Sequence, residues 1–376
     1  MKKLAICALS AFILISSLAG CGTPSAEPSP TPSAAPLVEY DWDGAYAAYA
    51  PDTVVMTING DPVTWDEYFA VLYNEYVAFG YGNELSYYVE NAGMTLEDFL
   101  ASDVELYCLQ KHTIEQVARE HNVNLTADDE AVLAEELSSD IEQYVGSDGT
   151  EQELYDFLAK QFISPEFYEY EARMRVLYPR IFIELYGAEG GQVTDEEALA
   201  FADEYNFVNI KHILFKTLDD DNQPLSDEEK AAKLSEAQAV LDELNAVPES
   251  ERAALFDKLM DEKSEDTGLA SYPDGYNFEA GAGIMVQEFE DAAENLAVGE
   301  ISDIVESSYG YHILMRGELG PDDKVMLSST EAYPLRYVCA NFKFNRMLSD
   351  WAASAEISYA EGFEDFRASE VAKEIS

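Results

Sequence analysis

Val208-Asn-Ile-Lys-His-Ile-Leu-Phe215 has the β-branched and aromatic content of a strand, and Tyr309-Gly-Tyr-His-Ile-Leu-Met-Arg316 repeats its centre one hundred residues later. Side chains alternate along a strand, so His212 shares a face with Leu214, and His312 with Leu314. If the two strands are neighbours, the imidazoles can face each other in the sheet. A single strand histidine is ordinarily a satisfied structural residue. A mirrored pair, drawn from only four histidines in the chain, points to a site. Between the two strands an acidic loop runs from Asp219 to Asn222 and leads to a capping box, Ser226-Asp-Glu-Glu229. The helix that follows carries Leu234, Ala237, Leu241 and Leu244 at steps of three and four. A second short helix holds Phe256, Leu259 and Met260. A Gly/Pro/Tyr-rich stretch extends from Gly268 to Gly283, and a third helix carries Phe289, Ala292, Ala293 and Leu296 up to Gly299. Strand-like runs at Ile301–Glu306 and Tyr309–Arg316 close the series. The order β-α-α-α-β-β over 206–318 predicts an α+β domain, an antiparallel sheet flanked by helices.

Outward from this segment the texture is helical. Over 51–205, a strand at Thr53–Ile58 and a turn at Asn59-Gly60-Asp61 precede helix starts at Thr64, Thr95, Thr126, Ser164 and Thr194. Over 319–376 the chain returns to helix between about 331 and 355, then to a short strand, Glu356–Tyr359. A lone C-terminal helix needs a partner. The helical N-terminal region supplies it, so 206–318 reads as an insertion in a mostly helical domain built from both ends of the chain.

Residues 1–20 carry Lys2 and Lys3, an apolar run from Leu4 to Leu18, and Ala19-Gly20 before Cys21. That is a secretory signal, and Leu18-Ala19-Gly20-Cys21 resembles a bacterial lipobox, in which Cys21 is lipidated. The Pro/Ser/Ala-rich segment assigned to 21–50 is a tether. The expectation is an exported chain anchored by lipid to the outer face of a bacterial cell membrane. Cys7 leaves with the signal. Cys108 and Cys339 remain, either as a disulfide or as two buried thiols.

With 22 Lys+Arg against 74 Asp+Glu in 376 residues, the formal charge is −52. Such a chain cannot neutralise phosphates, which excludes nucleic acid as a partner. With 47% hydrophobic and 12% aromatic residues it has material for folded cores. The acidic run Asp219-Asp220-Asp221 lacks the ligand spacing of a calcium loop and reads as solvated.

Several separated blocks in 206–318 resemble a parvulin-type peptidyl-prolyl isomerase: Lys211-His-Ile-Leu214, Ser264-Glu-Asp266, Gly283-Ile-Met-Val-Gln-Glu-Phe-Glu-Asp-Ala-Ala293, Val298-Gly-Glu-Ile-Ser302 and Tyr309-Gly-Tyr-His-Ile-Leu314. The whole layout resembles exported foldases of the PrsA/SurA type, with a parvulin domain attached to or inserted in a helical chaperone domain. The resemblance implies a catalytic set of His212, His312 and Asp266. It also implies apolar proline-binding positions at Met285 and Phe289, one helical turn apart, with Phe278 as the aromatic residue that ends the glycine-rich segment. Here that segment is Tyr272-Pro-Asp-Gly-Tyr-Asn-Phe278, and Gln287 replaces the usual proline before Glu-Phe. The acidic loop stands where phosphate-directed parvulins carry basic residues, so a phosphoserine-proline preference is not expected.

Prolyl rotation breaks no bond, so neither nucleophile, metal nor cofactor is expected. The implied clients are unfolded exported polypeptides with X-Pro bonds. The alternative is a catalytically weak holdase whose helical domain contacts clients through aromatics such as Tyr73, Tyr76, Phe79 and Tyr81, which at helical spacing also suit a core. A solute-binding lipoprotein would need repeated α/β units, and the sequence has none.

Overall fold

The computed structural model describes residues 38–375 except 81, 90, 91 and 329. The signal segment 1–20, Cys21 and the tether up to residue 37 lie outside the described residues. The described chain forms two compact units, one of 38–185 with 344–375, the other Tyr186–Lys343.

The first unit opens with β1 (Glu39–Tyr40) and α1 (Trp42–Tyr46). The tether expected to reach residue 50 therefore ends earlier. Beyond Pro36 the Pro/Ser/Ala composition gives way to aromatics, and Tyr40, Trp42 and Ala45 are buried in the core. The hairpin β2 (Val54–Ile58) and β3 (Asp61–Thr64) turns at Asn59 and Gly60, both with positive φ. Helix α2 (Trp65–Glu75) follows, with Trp65, Phe69 and Leu72 fully buried. Thr64 caps α2 through Glu67 N–H, but the Glu67 carboxylate does not complete the expected box. It turns instead to His112 Nε2, 3.2 Å away. The strands β4 (Tyr88–Val89) and β5 (Met94–Thr95) lead into α3 (Leu96–Glu120), α4 (Ala127–Tyr144), α5 (Glu151–Leu158) and α6 (Pro165–Tyr186). Tyr73 and Tyr76 pack on Trp42, with ring centroids 5.7 and 4.8 Å from it, so they belong to the core. Phe79 is 64% exposed, and Tyr81 lies outside the described residues.

The second unit begins with α7 (Asp195–Glu204), then β6 (Phe207–Lys216), α8 (Asp227–Ala246) and α9 (Glu249–Lys263). Next come β7 (Tyr276–Glu279), α10 (Gln287–Glu294), β8 (Val305–Glu306), β9 (Gly310–Gly317), β10 (Lys324–Met326) and β11 (Ala332–Pro334). The strands form one sheet in the order β11-β10-β7-β6-β9-β8. All neighbours are antiparallel except β10, which runs parallel to β7. β6 lies inside the sheet with both faces covered, which is why it reads as a nearly continuous apolar run. Ile213, Phe215, Ile313 and Met315 pack on α8 and α9. Val208, Ile210 and Leu314 point the other way, onto Phe278, Phe289 and Ala293.

Four expectations need correction here. The Gly/Pro/Tyr-rich stretch contains β7, and Ile301 makes only an isolated bridge to Met315 rather than starting a strand. The C-terminal helix, α11 (Leu335–Ser354), starts after the β10–β11 hairpin and not at 331. The compact unit also exceeds 206–318 at both ends. Phe201 stacks on Phe207 at 5.6 Å, Tyr205 meets Phe342 at 4.7 Å, and Arg336 binds Asp195 and Asp322 at 2.6 and 2.8 Å.

The chain finishes in the first unit. β12 (Ile357–Tyr359) pairs antiparallel with β2, and after α12 (Ala368–Val371) the strand β13 (Glu374–Ile375) pairs with β1. Strands from both chain ends thus build the mostly helical unit. Cys108 and Cys339 are both buried and free, so the disulfide is not formed.

Candidate active site

The β6–β9 register is centred on Ile213 opposite Ile313, with His212 opposite Leu314 and Leu214 opposite His312. The two histidines are therefore diagonal neighbours on one face, not a directly opposed pair. Their rings lie nearly parallel, with centroids 5.3 Å apart and Nδ1 to Nδ1 at 3.1 Å. Both are buried. The mirrored Lys-His-Ile-Leu and Tyr-His-Ile-Leu contexts are the local consequence of this pseudo-twofold crossing.

The segment after α9 supplies the carboxylate. Ser264 Oγ accepts from Leu214 N–H and Glu265 accepts from Lys216 N–H, which lays Ser264-Glu-Asp266 against β6. Asp266 Oδ2 then accepts from His212 Nε2 at 2.9 Å and from the Tyr276 hydroxyl at 2.7 Å, while Oδ1 accepts from Gly268 N–H. Burial alone would raise the Asp266 pKa, but the donors from His212, Gly268 and Tyr276 outweigh it and hold the carboxyl well below the usual range. At the other end, His312 Nε2 lies 2.7 Å from Ser307 Oγ. Burial, followed by the neighbouring His212, pushes His312 down to about 3, so its ring is neutral at ordinary pH.

The result is one hydrogen-bonded line: Asp266, His212, His312, Ser307. Asp266 fixes a proton on His212 Nε2. With both rings neutral, His312 Nδ1–H donates to His212 Nδ1 and the Ser307 hydroxyl donates to His312 Nε2. Adding one proton at His212 Nδ1 reverses every bond from there to Ser307. The rotatable serine hydroxyl accommodates either direction.

A cavity of about 560 Å³ opens above this line, walled by Leu214, Tyr276, Ile284, Met285 and Phe289. Phe289 presents its ring edge-on to both histidines, at 5.2 and 5.6 Å. Met285 does not sit one turn before Phe289 on a helix, as expected. Val286 is the N-cap of α10, so Met285 lies in the preceding loop. That loop is held by Glu290, a carboxylate 2% exposed, which accepts from Gly283 N–H at 2.9 Å and Met285 N–H at 2.7 Å. Phe278 is fully buried behind Phe289, with ring centroids 6.2 Å apart, so it supports the cavity floor without lining it. Tyr276, Ser307 and Glu290 were not singled out from sequence. Only the tyrosine left a signal, as a bulky residue in a segment expected to be glycine-rich.

Residues 212–318 match the family model of the PPIC-type PPIase domain, or rotamase. This segment is a parvulin domain. The parvulin domain also matches the peptidyl-prolyl cis-trans isomerase ESS1 of Saccharomyces cerevisiae, 36% identical over 29% of this chain and 64% of that protein. The foldase protein PrsA of Halalkalibacterium halodurans is 32% identical over 54% of this chain and 56% of the foldase. PrsA of Geobacillus kaustophilus is 38% identical over 33% of this chain and 36% of its own length. The chain thus spans about half or less of the length of these curated foldases. The solved PrsA structure from Bacillus subtilis is 18% identical, covering 72% of this chain and 90% of that one at a TM-score of 0.23. That score is too low to define a shared overall arrangement.

Proposed function

We propose that the protein is a peptidyl-prolyl cis-trans isomerase acting as a foldase on exported polypeptides. The observation that carries this reading is the hydrogen-bonded His212–His312 pair, anchored by Asp266, beneath a cavity walled by Met285 and Phe289 in a parvulin domain. A planar amide carries partial charges on oxygen and nitrogen, and resonance between them sets a barrier of about 18–20 kcal/mol. Twisting the bond removes that charge separation. A slot in which Met285 and Phe289 grip the pyrrolidine favours the twisted form over the planar one. His212 and His312, held in defined tautomers, orient the polar groups that meet the carbonyl. Catalysis of this kind needs positioning and solvent exclusion rather than bond chemistry.

The domain reading that goes with it has a signal at 1–20, a tether from Cys21, a helical client-holding region and the parvulin domain. Lipid on Cys21 would hold the body at the outer face of the membrane, and the relatives' name, foldase, supports unfolded exported chains as clients. Cys21→Ser should move the protein from the membrane fraction to the soluble one.

The decisive experiment is a protease-coupled prolyl-peptide assay on the full mature chain. His312→Ala and Asp266→Asn should each lower kcat/KM by about tenfold or more. Wild-type turnover that both variants leave unchanged would remove the basis for assigning the activity to this site.

A further inference from the structure

Tyr276 makes a contact that none of the expected site residues requires. Its hydroxyl donates to Asp266 Oδ2 at 2.7 Å, the same oxygen that receives His212 Nε2–H. Its ring stands at 75° to the His212 ring, 5.6 Å away, and forms part of the cavity wall. We propose, on the prolyl isomerase reading above, that Tyr276 is a positioning residue: its hydroxyl locks the Asp266 carboxylate onto His212, and its ring forms one wall of the cavity.

Two further features of the fold serve this one hydrogen bond. The first is Gly268. Its backbone is not in the left-handed region, so any residue could adopt it. What forbids a side chain is space, because a Cβ there would fall on the Tyr276 hydroxyl. Gly268 N–H in turn donates to Asp266 Oδ1, so the glycine both admits the phenol and occupies the second carboxylate oxygen. The second is the mounting of β7. Tyr276 is paired with Ile210 on β6, two residues from His212, and Gly275 before it takes a φ of +95° close under the Ile210 carbonyl. The tyrosine and His212 therefore ride on paired strands, with little freedom between them. Burial and the adjacent carboxylate push the phenol well above its ordinary pKa, so it stays a donor.

Without the hydroxyl, Asp266 Oδ2 keeps only His212. The carboxylate becomes more basic and freer to rotate, and the His212 tautomer loses its fixed acceptor. The ring wall survives in Tyr276→Phe, so the loss should fall on kcat and not on KM.

The test uses the full chain with Tyr276→Phe, Gly268→Ala and the double variant. Tyr276→Phe should lower kcat about tenfold with KM nearly unchanged, and should move the acid limb of the pH profile upward. Gly268→Ala should do similar damage by displacing the hydroxyl. In the Tyr276→Phe background it should cost much less, because the severe clash with the hydroxyl is gone and only the ring tip and Asp266 Oδ1, each 3.2 Å from the added Cβ, remain to give way. Imidazole nitrogen NMR gives an independent readout, a shifted His212 Nε2 resonance in Tyr276→Phe. Effects that simply add, or a wild-type pH profile and unshifted resonance in Tyr276→Phe, overturn the proposal. If the wild-type chain turns over no prolyl peptide, it is the isomerase reading that fails. The His212 resonance then still decides whether the hydroxyl positions the carboxylate.

Discussion

Acidification should weaken the parvulin-containing unit through a single buried imidazole. His312 is 3% exposed and lies beside His212, and together burial and that neighbour bring its pKa down to about 3 in the folded chain. In the unfolded chain it returns to about 6.5. Between those two values the unfolded state binds a proton that the folded state refuses, so stability falls as the pH drops through this window. From pH 7 to pH 5 the difference amounts to about 2 kcal/mol for this group alone. The measurement is urea unfolding of the full chain and of His312→Gln at both pH values, followed by the amide exchange of residues in 186–343. Carboxylates titrate in both proteins, so the quantity of interest is the wild-type loss minus the variant loss. In parallel, the His312 ring nitrogens should keep a neutral signature down to pH 4. A midpoint near 6.5 for His312, or pH sensitivities that are equal in the two proteins, refutes the argument.

His112 in the other unit should behave in the opposite sense. Burial lowers its pKa, but the hydrogen bond and charge of Glu67, with Glu115 and Asp61 nearby, outweigh that and raise it. Its contribution is complete below the ordinary imidazole range and is lost as the pH rises through the raised value, so the stability gap between wild type and His112→Gln should narrow from pH 6 to pH 9. Glu290→Ala leaves two loop N–H groups without their acceptor, which should cost about 2–4 kcal/mol and raise KM, with faster amide exchange at Gly283 and Met285. Gly310→Ala would drive a Cβ into the Phe215 carbonyl from a φ of +148°, so loss of about 3 kcal/mol or more is expected, read as a lowered Tm with a disturbed His312 two residues on.

The strand pair was legible because alternation puts His212 with Leu214 on one face of its strand and His312 with Leu314 on one face of the other. The register itself was not, since the diagonal placement depends on Ile213 meeting Ile313 across the ladder. β7 escaped notice because Tyr-Asn-Phe-Glu is only four residues long and follows a Pro-Asp-Gly turn, so no alternation could develop. Met285 was misplaced by one structural state. The helical spacing to Phe289 is real in sequence, but the chain enters α10 only after Val286. Phe278 faces Phe289 in the core and does not line the cavity, because which side a strand residue packs on is a property of the tertiary fold. Glu290 lies within the short helix α10 (Gln287–Glu294). Its burial follows from the loop folding back over the helix start, which no local pattern encodes.

The segment recognisable as a parvulin stops at Glu318, but the sheet does not. Lys324–Met326 runs alongside β7, with Met326 against Phe278, and Ala332–Pro334 hairpins back onto it. A chain cut at Glu318 would leave β7 as a bare sheet edge, with unpaired N–H and C=O groups offered to any passing strand. That edge would sit one strand away from His212, on the element that bears Tyr276. The portable catalytic module and the self-contained folding module are therefore different lengths of the same polypeptide. Transplanting the shorter one would move the sheet's edge from β11 to β7, a template for self-association beside the site.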